Sequence, residues 1–405
     1  MASLTDALSK LHERIPLGMR LGLGPIEDAC GRFGHPERSF AAVHVAGTNG
    51  KGSVCAMVDS IARAHGLKVG LYTSPHLGRF AERIRIGGEP IEDAVLAEIL
   101  LRVLDAGPDL SFFEVATLAA FLVFRAAQVE LAVVEVGLGG RLDATNVIPL
   151  PAAAAITRIA LDHTDRLGPT LVDIAREKAG IAKTGLRIVL GPMSRDVRSA
   201  IDDVARAHGA KTLDADGPDT RALLIGRPLP LAGVHQIENA WVACRLAKLI
   251  GLSDVEIVRG LSAVQWPGRL ERIDRPDGSY LIDAAHNPDG IEALARHVES
   301  LPNRAGGVLV FGALADKDWG AMLDRLIHLF PVRVYVMPQG RAAAALEDLV
   351  ARHSGEQAIT AARACERARE LAGPDGLVVV AGSIFLAGEA RAFLLGSPFE
   401  KPVAL

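Results

Sequence analysis

The segment 42–53, AVHVAGTNGKGS, constrains the fold of this chain more than any other feature of the sequence. A short run rich in β-branched residues ends there in a glycine-rich turn, and an apolar helical pattern follows over residues 54–64. This order predicts a strand, a phosphate-binding loop and a helix, which is typical of nucleotide-binding α/β proteins. An isolated glycine-rich turn is often purely structural, but the full order favours binding of nucleotide phosphates.

The chemistry of the loop supports that interpretation. Lys51 would add a mobile cation, and Ser53 would offer an oxygen to Mg²⁺. Three glycines are expected to adopt positive φ and to turn backbone N–H groups toward an anion: Gly47, Gly50 and Gly52. The spacing departs from the general phosphate-loop pattern, because Val45 replaces the first glycine and Gly52 separates the lysine from the hydroxyl residue. The loop is therefore predicted to be a variant form.

Length and composition limit the possible functions. A chain of 405 residues is too long for one ordinary core, so two domains are expected. The net charge of −4 argues against non-specific nucleic-acid binding, which needs a basic face. The four cysteines are far apart and lack metal-type spacing, and neither a signal pattern nor a membrane-length apolar run is found. We expect a cytoplasmic monomer with reduced thiols that interacts with neither nucleic acid nor membrane.

Polar side chains follow several predicted strands at the points where those strands end. Ser74 follows a strand over 68–71, Glu135 ends an apolar strand over 131–136, and His163 follows a strand over 153–157. The carboxyl ends of parallel strands share one edge of a sheet, so the three side chains are expected to meet at one crevice. A carboxylate in an apolar strand needs a cation. For Glu135, a salt bridge and a metal ligand both fit.

The alternation of strands and helices restarts after a candidate linker, Gln265 to Gly268. Beyond it, strands are predicted near 280–283, 307–311, 332–336 and 377–380, each followed by a helical pattern. The fold class is thus predicted as α/β. An N-terminal phosphate-loop mononucleotide-binding domain with a parallel sheet occupies residues 1–265, and a smaller C-terminal α/β domain occupies residues 266–405. Asp283 and His286 follow the first strand of the second domain, which suggests that it faces the first across a cleft.

Considered together, nine segments resemble the folylpolyglutamate synthase and dihydrofolate synthase family within the Mur ligase superfamily. They are 21–23, 44–53, 73–77, 135–146, 161–165, 176–180, 267–271, 283–290 and 311–318. The resemblance implies a Rossmann-like second domain and ATP-dependent ligation of L-glutamate to dihydropteroate or to a folate, through an acyl phosphate. It implies a bifunctional enzyme.

The resemblance also assigns roles to individual residues. Lys51, Lys178 and His163 would be catalytic, with Lys178 carbamylated. Two Mg²⁺ ions are expected, one near Ser74 and Glu135 and a second near His163. The implied nucleotide contacts are Asn49, Gly50, Lys51, Gly52, Ser53, Asn239, Arg269, Asp283 and His286.

The implied pocket for the pterin-bearing substrate comprises Leu21, Gly22, Leu23, Gly24, Phe112, Phe113, Glu114, Leu142, Asp143 and Ala144. Aromatic faces and a carboxylate suit a flat ring with N–H donors.

Other functions and other residue environments are also compatible with parts of this sequence. Another Mur-type ligase, acting on a cell-wall or polymer precursor, would share the nucleotide chemistry. A nucleotide-switch protein of the GTPase kind lacks support, because no Asn-Lys-x-Asp stretch for reading guanine is present. For Lys178, a solvated surface position is the simpler alternative to the carbamate that the resemblance implies. For the alternating pair Arg83 and Arg85, a solvated face and an anion site both fit.

Overall fold

The computed structural model describes residues 3–15, 22–301 and 307–400, and it contains two β-sheets flanked by helices. The strands of the first sheet lie between residues 41 and 214, and those of the second lie between 271 and 381. Both sheets are mainly parallel, so the predicted α/β class is confirmed.

The first sheet has eight strands in the order β4-β3-β2-β5-β1-β6-β7-β8. They are β1 (Ala41–Ala46), β2 (Val69–Tyr72), β3 (Ile84–Ile86), β4 (Glu89–Pro90), β5 (Leu131–Glu135), β6 (Ala153–Ile156), β7 (Arg187–Leu190) and β8 (Lys211–Asp214). Pairing is parallel except where β3 joins β2 and β4. The strand that leads into the glycine-rich loop, β1, is central and pairs with β5 and β6.

The helices of this part are α1 (Leu4–His12), α2 (Gly24–Arg32), α3 (Lys51–His65), α4 (Asp93–Ala106), α5 (Phe112–Ala126), α6 (Thr164–Leu167), α7 (Leu171–Ala179), α8 (Arg195–Ala207), α9 (Pro218–Ala222), α10 (Val234–Leu249) and α11 (Asp254–Ala263). Helix α3 packs against α10 and α11 on one face of the sheet. The almost wholly apolar α5 is buried in a second cluster on the opposite face. Both sheet faces are therefore covered, as the apolar character of β1 and β5 requires.

The second sheet has the order β13-β12-β11-β14-β10-β9. Its strands are β9 (Glu271–Arg275), β10 (Gly278–Ile282), β11 (Val308–Phe311), β12 (Val332–Val336), β13 (Glu356–Ala358) and β14 (Leu377–Ala381). Only β9, an edge strand, pairs antiparallel among these described strands. The helices are α12 (Pro288–Ser300), α13 (Trp319–Leu326), α14 (Leu346–Arg352), α15 (Ala361–Ala372) and α16 (Ile384–Leu395).

Four strands were not predicted from the sequence: β4, β8, β9 and β13. Each lies at a sheet edge, and most of its residues are exposed or half-buried. Edge strands bury little apolar surface, so their pattern is weak. Helix α7 ends at Ala179, before Gly180.

The four cysteines are free and buried, as expected for core thiols. Within the described part of the chain, none of the helices is both long and apolar enough to cross a lipid bilayer.

Candidate active site

The polar side chains that follow four adjacent strands line one cleft of about 870 Å³. Ser74 follows β2, Glu135 ends β5, the glycine-rich loop follows β1, and His163 lies beyond β6. These strands are consecutive in the sheet, so their carboxyl ends present neighbouring positions along one edge. The predicted convergence of Ser74, Glu135 and His163 on one crevice is thus observed.

Two glycines of the loop are required by its geometry. Gly47 has φ 147°, and a Cβ there would lie 1.8 Å from Thr157 Oγ1. Gly50 has φ 90°, and a Cβ there would lie 2.3 Å from Asn239 Oδ1. The positive φ expected at Gly52 is wrong, because α3 begins at Lys51 and Gly52 is already helical.

Lys51 projects from the loop toward the end of β5. Its Nζ donates to the Thr48 carbonyl at 3.2 Å and lies 3.9 Å from Glu135 Oε1. Ser53 is buried, and its hydroxyl accepts a hydrogen bond from Gln236 Nε2 at 3.2 Å. The loop thus presents one cation at the carboxyl edge of the sheet, within reach of a buried carboxylate.

Glu135 is only 5% exposed, and burial raises its pKa although the charge of Lys51 opposes the shift. The Ser74 backbone N–H donates to Glu135 Oε2 at 3.1 Å, which brings the Ser74 loop to this carboxylate. Across the described residues, no three His, Cys, Asp or Glu side chains converge to hold a metal ion by themselves. A carboxylate beside a serine nevertheless fits Mg²⁺, which keeps several water or phosphate ligands.

His163 immediately precedes α6 and has φ 51°, and its Nε2 lies 3.4 Å from Lys317 Nζ. Burial lowers the pKa of His163 to about 4, and the carboxylate of Asp162 opposes this only in part. The imidazole is therefore neutral near pH 7, which is the form that binds metal ions.

Asp162 is a site residue to which the sequence assigned no role. Its carboxylate accepts from Lys317 Nζ at 2.5 Å and from Asn287 Nδ2 at 3.1 Å, and His286 Nε2 lies 3.6 Å away. Burial alone would raise the pKa of Asp162, but the His286 ring and the charges of His163 and Lys317 hold it well below its usual value. Asp162 is thus the anionic centre of a contact between the two sheet-bearing parts.

A second set of polar contacts joins the glycine-rich loop to the start of α12. Asn49 Nδ2 donates to Asn287 Oδ1 at 3.0 Å and to Asp289 Oδ2 at 2.8 Å, and Asn287 Nδ2 donates back to Asn49 Oδ1 at 3.0 Å. Arg158 Nε donates to Asp289 Oδ1 at 2.7 Å. In this conformation the amide of Asn49 is engaged across the cleft, and its nucleotide contact stays a prediction.

Lys178 lies on the last turn of α7 and lines the same cleft. It is only 4% exposed, so the simpler interpretation as a solvated surface lysine is wrong. Burial lowers its pKa to about 7, and the positive charge of Lys51 adds to the shift. A substantial fraction of this amine is therefore neutral near pH 7.

The residues predicted from later segments also line the cleft: Asn239, Arg269, Asp283 and His286. Both carboxylate oxygens of Asp283 are engaged, because they accept from the backbone N–H groups of Leu270 and Ala285 at 2.8 Å each. Asp283 therefore shapes the turn that carries Arg269 and His286. Its nucleotide contact stays a prediction.

The predicted substrate residues lie beside the cleft. Leu21 falls outside the described residues. Leu23, Phe112, Phe113 and Ala144 share the apolar cluster around α5. Gly137, which lines the cleft, lies close to Phe113: a Cβ on Gly137 would be 2.4 Å from the Phe113 ring.

Two carboxylates of this set serve local structure. Glu114 Oε2 accepts from the Ser111 backbone N–H at 2.8 Å and from its hydroxyl at 2.6 Å, which closes a capping box at the start of α5. Asp143 Oδ2 accepts from the backbone N–H of Leu138 at 2.8 Å. Gly22, Gly24 and Leu142 are half-buried or exposed nearby. Contact with a substrate stays a prediction for this whole set.

Arg83 contradicts the expectation of a solvated face. It is fully buried, its guanidinium lies over the rings of Phe80 and Phe112 at 5.1 and 5.5 Å, and its Nε donates to His76 Nδ1 at 2.9 Å. Arg85 is half-buried and lies 5.3 Å from the centre of the Trp266 ring.

Comparison with known proteins agrees with this geometry. The sequence matches the Mur ligase middle domain over residues 45–189 and the Mur ligase glutamate ligase domain over residues 268–384. A folylpolyglutamate synthase of Lacticaseibacillus casei is 36% identical, over 90% of this chain and 92% of its own length.

Solved structures extend the comparison to the fold. Escherichia coli FolC in complex with DHPP and ADP superposes with a TM-score of 0.90 at 32% identity, covering 98% of both chains. The bifunctional folylpolyglutamate synthase/dihydrofolate synthase of Yersinia pestis, complexed with AMPPNP and a Mn ion, gives a TM-score of 0.87 at 31% identity, again over 98% of both chains. The chain therefore belongs to the folylpolyglutamate synthase/dihydrofolate synthase family, whose members are ATP-dependent glutamate ligases built from Mur ligase domains.

Proposed function

We propose that this chain uses ATP to join L-glutamate to the carboxylate of dihydropteroate and to that of a folate, so that it carries both activities of its family. The observation that supports this best is the cleft itself. Lys51, Glu135, His163 and Lys178 line it together, and the apolar cluster of Phe113 lies against its wall. Phosphate chemistry and a flat, largely apolar substrate can thus meet at one place.

The residues of the chain suit the two steps of such a ligation. A carboxylate is a poor electrophile, so its oxygen first attacks the γ-phosphorus of ATP and ADP leaves. The resulting acyl phosphate is attacked by the glutamate amine, and phosphate leaves from the tetrahedral intermediate with loss of a proton from nitrogen. Both steps concentrate negative charge, and Lys51 with the N–H groups at the start of α3 is placed to stabilise it.

Divalent metal would be held by side chains of the same edge. Ser74 and Glu135 offer oxygen ligands for one ion, and the neutral imidazole of His163 offers a nitrogen for a second. When bound, such ions offset charge on the transferring phosphoryl group. Lys51, the nearest cation to Glu135, would hold the carboxylate in place before metal enters.

Lys178 would act as a carbamate. Its neutral amine attacks CO₂ and loses a proton, so a buried cation becomes a carboxylate that can bind or orient metal. Burial and the lowered pKa support this role, because only the neutral amine reacts.

The second sheet-bearing part would supply the other wall of the nucleotide site. Arg269, Asp283 and His286 of this part line the cleft opposite Asn239 of α10, and we place the boundary between two domains at residues 265/266. Closure of the domains about Gln265–Gly268 would bring Arg269 to ATP. We further propose that the enzyme works as a cytoplasmic monomer.

One assay tests the proposal: formation of ligated product and ADP from purified enzyme, ATP, Mg²⁺ and L-glutamate. Dihydropteroate and tetrahydrofolate are compared, with a UDP-linked cell-wall sugar as the competing substrate class. Product from both pteridine substrates supports the bifunctional proposal, and product from one restricts it to that activity. Product from the UDP-linked sugar alone would contradict it.

A further inference from the structure

His44 is a buried polar residue for which the proposed chemistry has no use. It lies in β1, the central strand, between Val134 of β5 and Ala154 of β6, and it is 0% exposed. Ala42 and Ala46, on the same face of the strand, pack in apolar clusters. Burial lowers the pKa of His44 to about 3, so the ring is neutral. A neutral histidine in such a position needs a hydrogen-bond partner.

That partner is Thr145, whose Oγ1 lies 2.7 Å from His44 Nε2 and 2.5 Å from Asp143 Oδ1. A hydroxyl group has one proton to donate. Burial raises the pKa of Asp143, but hydrogen bonds to its carboxyl act against that shift. The carboxyl accepts from the backbone N–H groups of Thr145 at 3.0 Å and Leu138 at 2.8 Å, and such donors favour the carboxylate form.

Because a carboxylate can only accept, the proton of Thr145 goes to Asp143. His44 must then carry its own proton on Nε2 and donate it to Thr145. With its one proton on Nε2, the neutral ring of His44 carries only a lone pair on Nδ1. Within the described residues, Nδ1 indeed has no hydrogen-bond partner. The order of donation is therefore His44 to Thr145 to Asp143.

The hydrogen-bonded relay of His44, Thr145 and Asp143 joins two segments whose relative position matters for the reaction. His44 stands three residues before Gly47 of the phosphate loop, while Asp143 lies in the loop after β5 that carries the predicted substrate residues 142–144. The far side of that loop is tied to the end of α7, since Asn146 Nδ2 donates to the Gly180 carbonyl at 3.2 Å and Lys183 Nζ to the Asn146 carbonyl at 2.7 Å. The relay adds a side-chain link between the middle of this loop and the central strand, whereas its two ends are joined to β1 by backbone hydrogen bonds from Val136 and Ala152.

We propose that His44 is a positioning residue for the pteridine substrate, holding Thr145 and through it Asp143 in the conformation that receives the ring. The inference rests on the proposed function, because it takes residues 142–144 as part of the substrate site. It adds that substrate affinity depends on a histidine that the substrate never touches.

The test compares variants of matched shape. Thr145→Val removes the hydroxyl and keeps the volume, whereas Thr145→Ser keeps the hydroxyl. Loss of the hydroxyl leaves His44 and Asp143 each short of a partner, so Thr145→Val should raise KM for dihydropteroate or tetrahydrofolate about tenfold or more. KM for ATP should stay within about twofold, and Thr145→Ser should resemble the wild type. His44→Leu should act in the same direction with a smaller effect, because Thr145 keeps its bond to Asp143.

A second measurement needs no variant to be active. Nitrogen-15 NMR of wild-type protein labelled at histidine reports which ring nitrogen of each histidine is protonated. The signals that disappear in His44→Gln are those of His44. The inference requires the Nε2–H tautomer. The Nδ1–H tautomer would mean that Asp143 is protonated and the relay runs in reverse, which would overturn the proposal.

An unchanged KM for the pteridine substrate in Thr145→Val, measured beside an active wild type, would also overturn the proposal. A wild type that ligates neither pteridine substrate would overturn the proposed function instead, whatever the tautomer.

Discussion

The lowered pKa of Lys178 allows a quantitative prediction about the proposed carbamylation of its amine. An ordinary lysine, with a pKa near 10.4, is neutral in about one molecule per thousand at pH 7.5. At the pKa of about 7 that burial and Lys51 impose, the neutral fraction at that pH is about three quarters. The neutral fraction available to react with CO₂ is therefore several hundredfold larger for the buried amine than for a surface lysine at this pH.

The pH dependence has a definite sign. Protonation blocks the amine, so the rate of carbamylation at constant dissolved CO₂ should rise with pH through about 7 and become flat above about pH 8. The assay begins with enzyme depleted of CO₂ and bicarbonate, adds a fixed CO₂ concentration at each pH, and follows recovery of ligase activity. Carbon-13 NMR of enzyme loaded with labelled CO₂ identifies the carbamate independently.

Variants at Lys178 provide the controls. Lys178→Ala should lose activity and regain part of it with acetate or formate, which restore a carboxylate at the site. Lys178→Arg should not regain activity, since its charge has the wrong sign. Recovery rates that keep rising to pH 10 would refute the reasoning about burial. Near-normal activity of Lys178→Ala without added acid would refute the carbamate itself.

Three further predictions concern the phosphate loop and the contacts across the cleft. Lys51→Ala should lower kcat by about a hundredfold or more while leaving the melting temperature nearly unchanged, because it removes the charge that we propose stabilises the transferring phosphoryl group. Retention of more than about a tenth of kcat would contradict that role. Asp162→Asn should lower the free energy of unfolding by about 3–5 kcal/mol in urea titrations, since it leaves the buried Lys317 without its carboxylate. Adding Lys317→Met should restore most of this loss, and equal stability of the single and double variants would count against a buried pair. Arg269→Ala should weaken ATP binding. Small-angle scattering of the wild type should show a smaller radius of gyration with ATP, Mg²⁺ and folate than without them, whereas an unchanged radius would argue against closure of the domains.

Much of the fold could be predicted because the signals are local. The apolar strands β1, β5, β11 and β14 are buried on both sides, and their short runs between glycine-rich or polar turns identify them. Strand ends then indicate where a parallel sheet presents its ligands, and this rule predicts from the sequence alone that Ser74, Glu135 and His163 meet at one crevice. The edge strands escaped prediction because exposed polar residues give no such pattern.

Charge states and cross-cleft partners could not be predicted in the same way. The local sequence around Lys178 and Arg83 is also compatible with a surface position. Both residues are buried, because residues distant in sequence cover them. The sequence contains Asp162, Asn287 and Lys317 within recognisable segments, but only the tertiary structure places them against one another across the cleft. Local sequence determines where the backbone turns and which residue types stand at the ends of strands. The pKa of an amine or the proton on an imidazole depends on desolvation and on partners up to hundreds of residues away, and these exist only once the chain has folded.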